Sequence, residues 1–353
     1  MRVNPLDQKQ TLQVQFTGSA KTYFGIWIVN ILLSIVTLGI YSAWAKVRRR
    51  RYFAQHTVID GRRFDYHATG QQILIGRIIV VIGLILMAIP ILNIFVALAL
   101  LIALPWLLNR ALAFNARMTS FSGVRFGFEG SYGRAFLVFM LYPLLSMLTL
   151  YTTWPFVARA VHRYTIGNSR YGTARFAFDS PIWPFYRAFL MAAGWAIIAL
   201  VVGFVVVGGP ALISDFIFLS QYGLGPDEGM IIHMMLMYVV LFVAVLPAAF
   251  VYQAFLRNAV YANTTLAGEH RFVSNIAPMR LMWIALSNAI VVVCTLGLML
   301  PWAHVRMSRY LADSTQVIVV GSLDQFIGTE TGKMSALGDA YTDIEGVDLG
   351  IAI

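Results

Sequence analysis

The chain has 353 residues, of which 59% are hydrophobic and only 12% charged, with a mean hydropathy of +0.73. Soluble domains carry about a quarter charged residues, so this composition excludes an ordinary water-soluble fold and points to the bilayer as solvent. The net charge of +10 is uneven: residues 321–353 hold six acids against one base, leaving a strongly basic body whose bases hug the ends of apolar runs. That distribution reads as positive-inside topology and contact with anionic headgroups, and it argues against nucleic acid as a partner.

In chain order, the first twenty residues are polar and lack the apolar core of a cleavable leader, so the first apolar run is expected to serve as an uncleaved signal anchor. Apolar runs then cover 24–43, 73–89, 91–109, 135–153, 188–213, 230–252 and 282–303. Pro90 and Asn93 divide the second from the third. Gly208-Gly209-Pro210 ends the fifth, and 214–229 is expected as an exposed acidic loop. Cys294, the sole cysteine, excludes an internal disulfide and is expected as a small buried hydrophobe.

A repeat underlies these runs. Residues 30–52 lie over 288–310 without gaps: Asn30 meets Asn288, Thr37-Leu38-Gly39 meets Thr295-Leu296-Gly297, and Trp44 meets Trp302. Arg48, Arg51 and Tyr52 meet Arg306, Arg309 and Tyr310. Looser copies carry Pro105-Trp106 with Arg110 and Phe114, Pro155-Phe156 with Arg163 and Tyr164, and Pro247 with Arg257 and Tyr261. After each copy comes an alternating stretch around a turn (57–66, 119–128, 168–178 and 264–273), two of them with the Asp-Gly or Ser-Gly pair that signals a hairpin.

The ends complete the pattern. Residues 12–18 read as a second strand lacking its first, and 315–321 as a first strand lacking its second. The fold expected is an α-helical polytopic membrane protein built of five related units, roughly 12–56, 57–118, 119–167, 168–263 and 264–320, followed by an acidic tail over 321–353 that is expected to be held loosely beside the basic face. Short β-hairpins separate the units and pair into a small sheet or ring on the cytoplasmic face, with the two terminal strands supplying one split hairpin. Counted as plain spans, the seven runs would put those two strands on opposite faces. Fold-back at 37–39, near 150–151 and at 295–297 puts every hairpin and basic cluster on one side.

At these residues the sequence resembles the YjgN family of uncharacterised bacterial inner-membrane proteins. The resemblance rests on Phe16 and Gly18, the run 29–52, Asp60-Gly61-Arg62-Arg63-Phe64 with Tyr66, and the stretch Met118–Phe128. Ala43 departs from it, standing where the family more often has the proline kept here at Pro105, Pro155 and Pro301. The resemblance implies an inner-membrane, multi-pass location and supplies no reaction.

The leading candidate site is the aromatic-then-arginine step: Trp44, Arg48, Arg51, Trp106, Arg110, Arg163, Trp302, Arg306 and Arg309, expected to touch lipid headgroups or another anion. Interfacial anchoring with snorkelling arginines is the bland reading of the same residues, and topology determination the bland reading of Arg48–Arg51. Met230, His233, Met234 and Met237 share a helical face that would suit Cu(I) but equally suits packing, so no metal is expected. No phosphate loop, HExxH, G-x-S-x-G or intramembrane carboxylate pair is present, so neither an enzyme nor a cofactor is expected. The function expected is a lipid- or partner-binding membrane protein with a basic cytoplasmic face; the alternative is a channel or carrier for a small solute, anions included.

Overall fold

The structure, a computed structural model, describes residues 9–348, with side-chain surroundings through residue 336. Its organising element is a closed barrel of ten short strands in which consecutive hairpins sit side by side. β1 (Lys9–Phe16) is followed by β2 (Thr57–Ile59), β3 (Arg62–Tyr66), β4 (Thr119–Phe121), β5 (Val124–Phe128), β6 (Ser169–Tyr171), β7 (Ala174–Phe178), β8 (Thr264–Leu266), β9 (His270–Ser274) and β10 (Thr315–Val320). Three of the tight turns place non-glycine residues at positive φ before a glycine, at Asp60, Ser122 and Ala267. Short polar side chains tolerate that region, and the following glycine suits it, which explains the Asp-Gly and Ser-Gly signals.

The split hairpin is present. β1 and β10 pair antiparallel from Lys9 opposite Val320 to Gln13 opposite Gln316, and β1 then continues against β2 from Val14 to Phe16. Closure leaves no strand edge, which removes the association liability of unpaired N–H and C=O groups. The small sheet or ring expected from sequence is thus a complete barrel.

All helices between strands leave and re-enter the barrel at one rim, while the hairpin turns form the other. α1 (Ala20–Val36) and α2 (Ser42–Gln55) join β1 to β2. α3 (Gly70–Met87) and α4 (Leu92–Met118) join β3 to β4. α5 (Tyr132–Leu148) and α6 (Trp154–Gly167) join β5 to β6. Within α5 the turn at Leu137–Leu141 widens to π geometry just before Pro143, whose missing N–H would interrupt a regular ladder. α7 (Trp183–Val206), α8 (Gly209–Gln221) and α9 (Glu228–Ala262) join β7 to β8. α10 (Pro278–Cys294) and α11 (Leu300–Asp313) join β9 to β10, and α12 (Leu323–Asp348) follows the last strand.

Among the described residues, four helices are long and apolar enough to cross a membrane: α3, α4, α7 and α9. The runs 24–43, 135–153 and 282–303 are not single helices; each breaks at the expected place and folds back. Local chemistry explains the break. Thr37 Oγ1 donates to the Leu33 carbonyl and accepts from Tyr41 N–H, closing one helix and opening the next; Thr295 does the same with Val291 and Met299. Gly39, Tyr151 and Gly297 each send their N–H five residues back, to Ser34, Ser146 and Val292. That is a helix-ending motif requiring a left-handed residue. At the three tips Leu38, Leu150 and Leu296 are themselves at positive φ and are 95%, 86% and 95% exposed. The returning helix ends beside the start of the outgoing one. Tyr52 donates to the Ser19 carbonyl (2.8 Å), Tyr164 to that of Ser131 (3.0 Å) and Tyr310 to that of Ala277 (3.2 Å).

Three expectations are corrected. Residues 214–229 are not one loop: α8 runs to Gln221, because Gly208 in the left-handed region turns the chain and Pro210 fits the first helical turn, and Asp227 then caps α9 by accepting from Met230 N–H. Cys294 is exposed at the end of α10, since the outer face of a membrane helix meets lipid and need not pack. The start of the acidic tail is not loosely held. α12 inserts Leu323, Phe326 and Ile327 among the barrel's interior side chains. The side chains of its later acids, and residues 349–353, lie outside the described residues.

Ten strands enclose more room than their own side chains easily fill. Phe64, Phe126, Phe176 and Phe272, each following an exposed arginine, form an arc across the bore with successive ring centroids 6.3, 6.4 and 6.0 Å apart. α12 closes the turn rim. Glu330, only 2% exposed, accepts from Thr173 N–H (2.7 Å), Ala174 N–H (3.1 Å) and the Thr173 hydroxyl (2.7 Å) at the β6–β7 turn. Its other oxygen pairs with Lys333 (2.9 Å), and Asp324 pairs with Arg62.

Candidate functional site

The sequence-predicted residues do not share one environment. Trp302, Arg306 and Arg309 line one polar cavity of about 820 Å³ between α10, α11, the start of α1 and the first residues of β10. Repeat chemistry builds its wall. Arg306 lies over the Trp302 ring at 5.1 Å and donates to Ser287 Oγ (2.7 Å) and Asn288 Oδ1 (2.9 Å). Buried Asn288 in turn donates to the Ala303 carbonyl. The guanidinium is therefore aimed by α10 while its charge stays unpaired with any acid among the described residues. Arg309 reaches the Gly18 carbonyl at 3.2 Å across the chain-end junction.

Two further lining residues were missed in the sequence: Arg280, stacked over Tyr310 at 5.4 Å, and exposed Trp283. The gapless repeat alignment begins at Asn288, upstream of which the copies diverge; the same offset sets Thr22 opposite Arg280. Only an arginine on the outgoing helix would have signalled it. The cavity thus gathers three arginines and two tryptophans with one acid, Asp313.

The other copies are not assembled this way. Arg48 is exposed and donates to the Tyr41 hydroxyl, while the Asn30 oxygen that corresponds to the Arg306 anchor has no partner. Trp44 packs against Gly70, so close that a methyl there would stand 2.4 Å from the indole, and its role is helix docking. Arg51 donates to the Tyr66 carbonyl, the counterpart of the Arg309 to Gly18 contact. Trp106 and Arg110 stack at 5.8 Å on the exposed side of α4. Arg163 pairs with Asp179 at 3.3 Å. His233 lies 2.6 Å from the Val207 carbonyl, tying α9 to the end of α7.

Outside the membrane-crossing helices, Tyr171, His270 and Glu330 are shifted from their ordinary values. The Tyr171 hydroxyl is pushed up to about 12 by burial and then by Glu330. Burial lowers His270, whose Nδ1 accepts from Val320 N–H. Burial would raise Glu330, but Lys333 and the Thr173 donors outweigh it and hold the carboxyl below its ordinary value.

The family model described as "Bacterial protein of unknown function (DUF898)" matches residues 11–344. The chain is similar to "Inner membrane protein YjgN" of Salmonella typhimurium, 29% identical over 90% of this chain and 91% of that protein. It is also similar to the proteins of that name in Escherichia coli O157:H7 (33% identical; 42% of this chain, 38% of that protein) and strain K12 (34%; 39% and 36%). No solved structure matches. A multi-pass, mostly helical protein of the bacterial inner membrane, this chain belongs to the DUF898 family.

Proposed function

We propose that the protein is a non-enzymatic lipid-binding protein whose α10–α11 cavity takes anionic lipid headgroups, with the barrel on the cytoplasmic side. The observation that carries this reading is the convergence of Arg280, Arg306 and Arg309 with Trp283 and Trp302 in one cavity of about 820 Å³. Arginine forks match phosphate oxygens, tryptophans favour the headgroup depth, and each base near an anionic surface contributes about 1 kcal/mol. Orientation follows from charge. The barrel side bears Arg48–Arg51 and the hairpin arginines, whereas the distal end of α7–α9 bears Asp215, Asp227 and Glu228.

The test is native mass spectrometry of protein purified from mixed phosphatidylglycerol and phosphatidylethanolamine nanodiscs. The triple variant Arg280→Gln, Arg306→Gln, Arg309→Gln should retain fewer phosphatidylglycerol molecules and an unchanged number of the zwitterionic lipid. Equal phosphatidylglycerol retention would overturn the proposal. A second reading, passage of a small anion along the barrel axis, draws on the exposed arginines Arg63, Arg125, Arg175 and Arg271 around the barrel. The phenylalanine arc and α12 fill that route, so this reading requires α12 to leave. Liposomes carrying protein truncated after Gly321 should then leak chloride or phosphate that the full chain retains.

A further inference from the structure

Beneath the barrel, on its helical side, lie two adjoining cavities of about 410 and 360 Å³. Both are lined by Arg257, Tyr261 and Leu311, so they are two lobes meeting at one arginine. One lobe extends among Phe250, Leu256, Ile276, Leu281 and Met307, between α9, α10 and α11. The other extends under the strands to Val14, Phe53, Phe64 and Phe272. Each is within the size range of small-molecule sites and overwhelmingly apolar.

Arg257 is the exception. Its guanidinium stacks on Tyr261 at 4.6 Å, and one amino group donates to Thr315 Oγ1 at 3.1 Å. Its Nε is buried without a partner, and no acid pairs with it among the described residues. A half-buried guanidinium between two apolar lobes, with no acid beside it, is a ready partner for an anion. Arg159, one turn from the lining residue His162 on α6, also has a buried, unpartnered Nε. A small hydrophilic anion would find too few donors here to replace its water. An acyl chain fills apolar walls, and an anionic head attached to it answers Arg257.

From this geometry we infer a second ligand site, separate from the α10–α11 headgroup cavity and independent of it: a chamber that holds an acyl-chain amphiphile with its anionic head at Arg257. The carboxylate of a free fatty acid and the phosphate of a membrane phospholipid share that chemistry. Full-length protein in nanodiscs is irradiated with a diazirine-bearing palmitate, and in a parallel arm with phosphatidylglycerol carrying the same chain; labelled peptides are then mapped. Labelling is expected at 250–260 and 307–311, from palmitate alone if the ligand is a free acid and from the phospholipid if it is a membrane lipid.

Arg257→Gln should lower that labelling about tenfold, the scale of one buried charge-assisted hydrogen bond. The uncharged palmitate methyl ester should label both proteins equally and weakly. Leu311→Trp, which fills the junction of the lobes without altering charge, should block labelling even if Arg257→Gln fails to fold. The triple glutamine variant of the headgroup cavity should leave chamber labelling unchanged. Labels confined to lipid-facing residues such as Val239 and Phe242 in both arms would overturn the inference. So would chamber labelling indifferent to both Arg257→Gln and Leu311→Trp.

Discussion

At the scale of single residues, two of the tyrosine hydroxyls that tie the helix pairs together, those of Tyr52 and Tyr164, sit over glycines. Tyr164 reaches the Ser131 carbonyl because Gly130 carries no side chain; a methyl there would stand 2.2 Å from the hydroxyl and 2.6 Å from the Phe128 ring. Gly18 leaves room in the same way, where a methyl would stand 2.6 Å from the Phe16 ring and 3.1 Å from the Tyr52 hydroxyl. The hydroxyl of Tyr164 is also fixed by Asn109, so it has little room to yield. Gly130→Ala should therefore destabilise by about 1–3 kcal/mol, as overpacking does. Thermal unfolding in detergent checks it, with Gly133→Ala, where open space surrounds the site, as the silent control. A second residue-scale outcome concerns the tips. Thr295→Val keeps shape but removes the oxygen that closes α10 and opens α11, and should cost about 1–2 kcal/mol by the same measurement.

Among elements, α12 carries the clearest pH dependence. Glu330 is held below its ordinary value in the docked state, so its contribution is complete above the unfolded carboxylate pKa and is lost as pH falls through the folded one. His270 packs edge-on against Phe326 at 4.4 Å and is neutral there because burial lowers it. Its contribution is complete above the ordinary imidazole value and declines as pH falls below it. Both signs agree: acid loosens α12. Hydrogen exchange of the α12 amides, corrected for intrinsic rate, should quicken between about pH 6.5 and pH 4, and Glu330→Gln should quicken it already at neutral pH. Exchange that stays flat across that range would show the helix is held by Leu323, Phe326 and Ile327 alone.

For the whole molecule, a barrel fed from one rim makes topology an all-or-none property. Every hairpin turn must lie on the same side of the membrane. In a Cys294→Ser background, cysteines at Asp60, Gly123, Arg170 and Gly268 should all be shielded from an impermeant thiol reagent in intact cells, while one at Gly225, between α8 and α9, reacts. Labelling at Asp60 and Gly123 but not Gly268 would be incompatible with a closed barrel. Replacing Arg48–Arg51 with glutamine should scramble that pattern, because lysine and arginine near span ends bias orientation.

The sequence by itself determined the hairpins, the split pair at the chain ends and the fold-back tips, because each is written locally. Alternation, Asp-Gly turns and Thr-Leu-Gly caps act within a few residues, and the repeat places them in one register. It also determined the membrane class, through apolar length and the scarcity of charge. Only the tertiary structure decided that the strands close into a barrel, since closure depends on how ten short strands share their edges. It alone decided that Asn288 aims Arg306 while its counterpart Asn30 leaves Arg48 outside. The acidic composition of the tail suggests only loose attraction to the basic face; three apolar residues and one carboxylate, spaced along a helix, instead match a bore and a turn that exist only once the chain has folded. Arg257 and Arg280 stayed hidden for the same reason: a charge acquires a site from what surrounds it, and those surroundings come from α9, α10, α11 and both chain ends together.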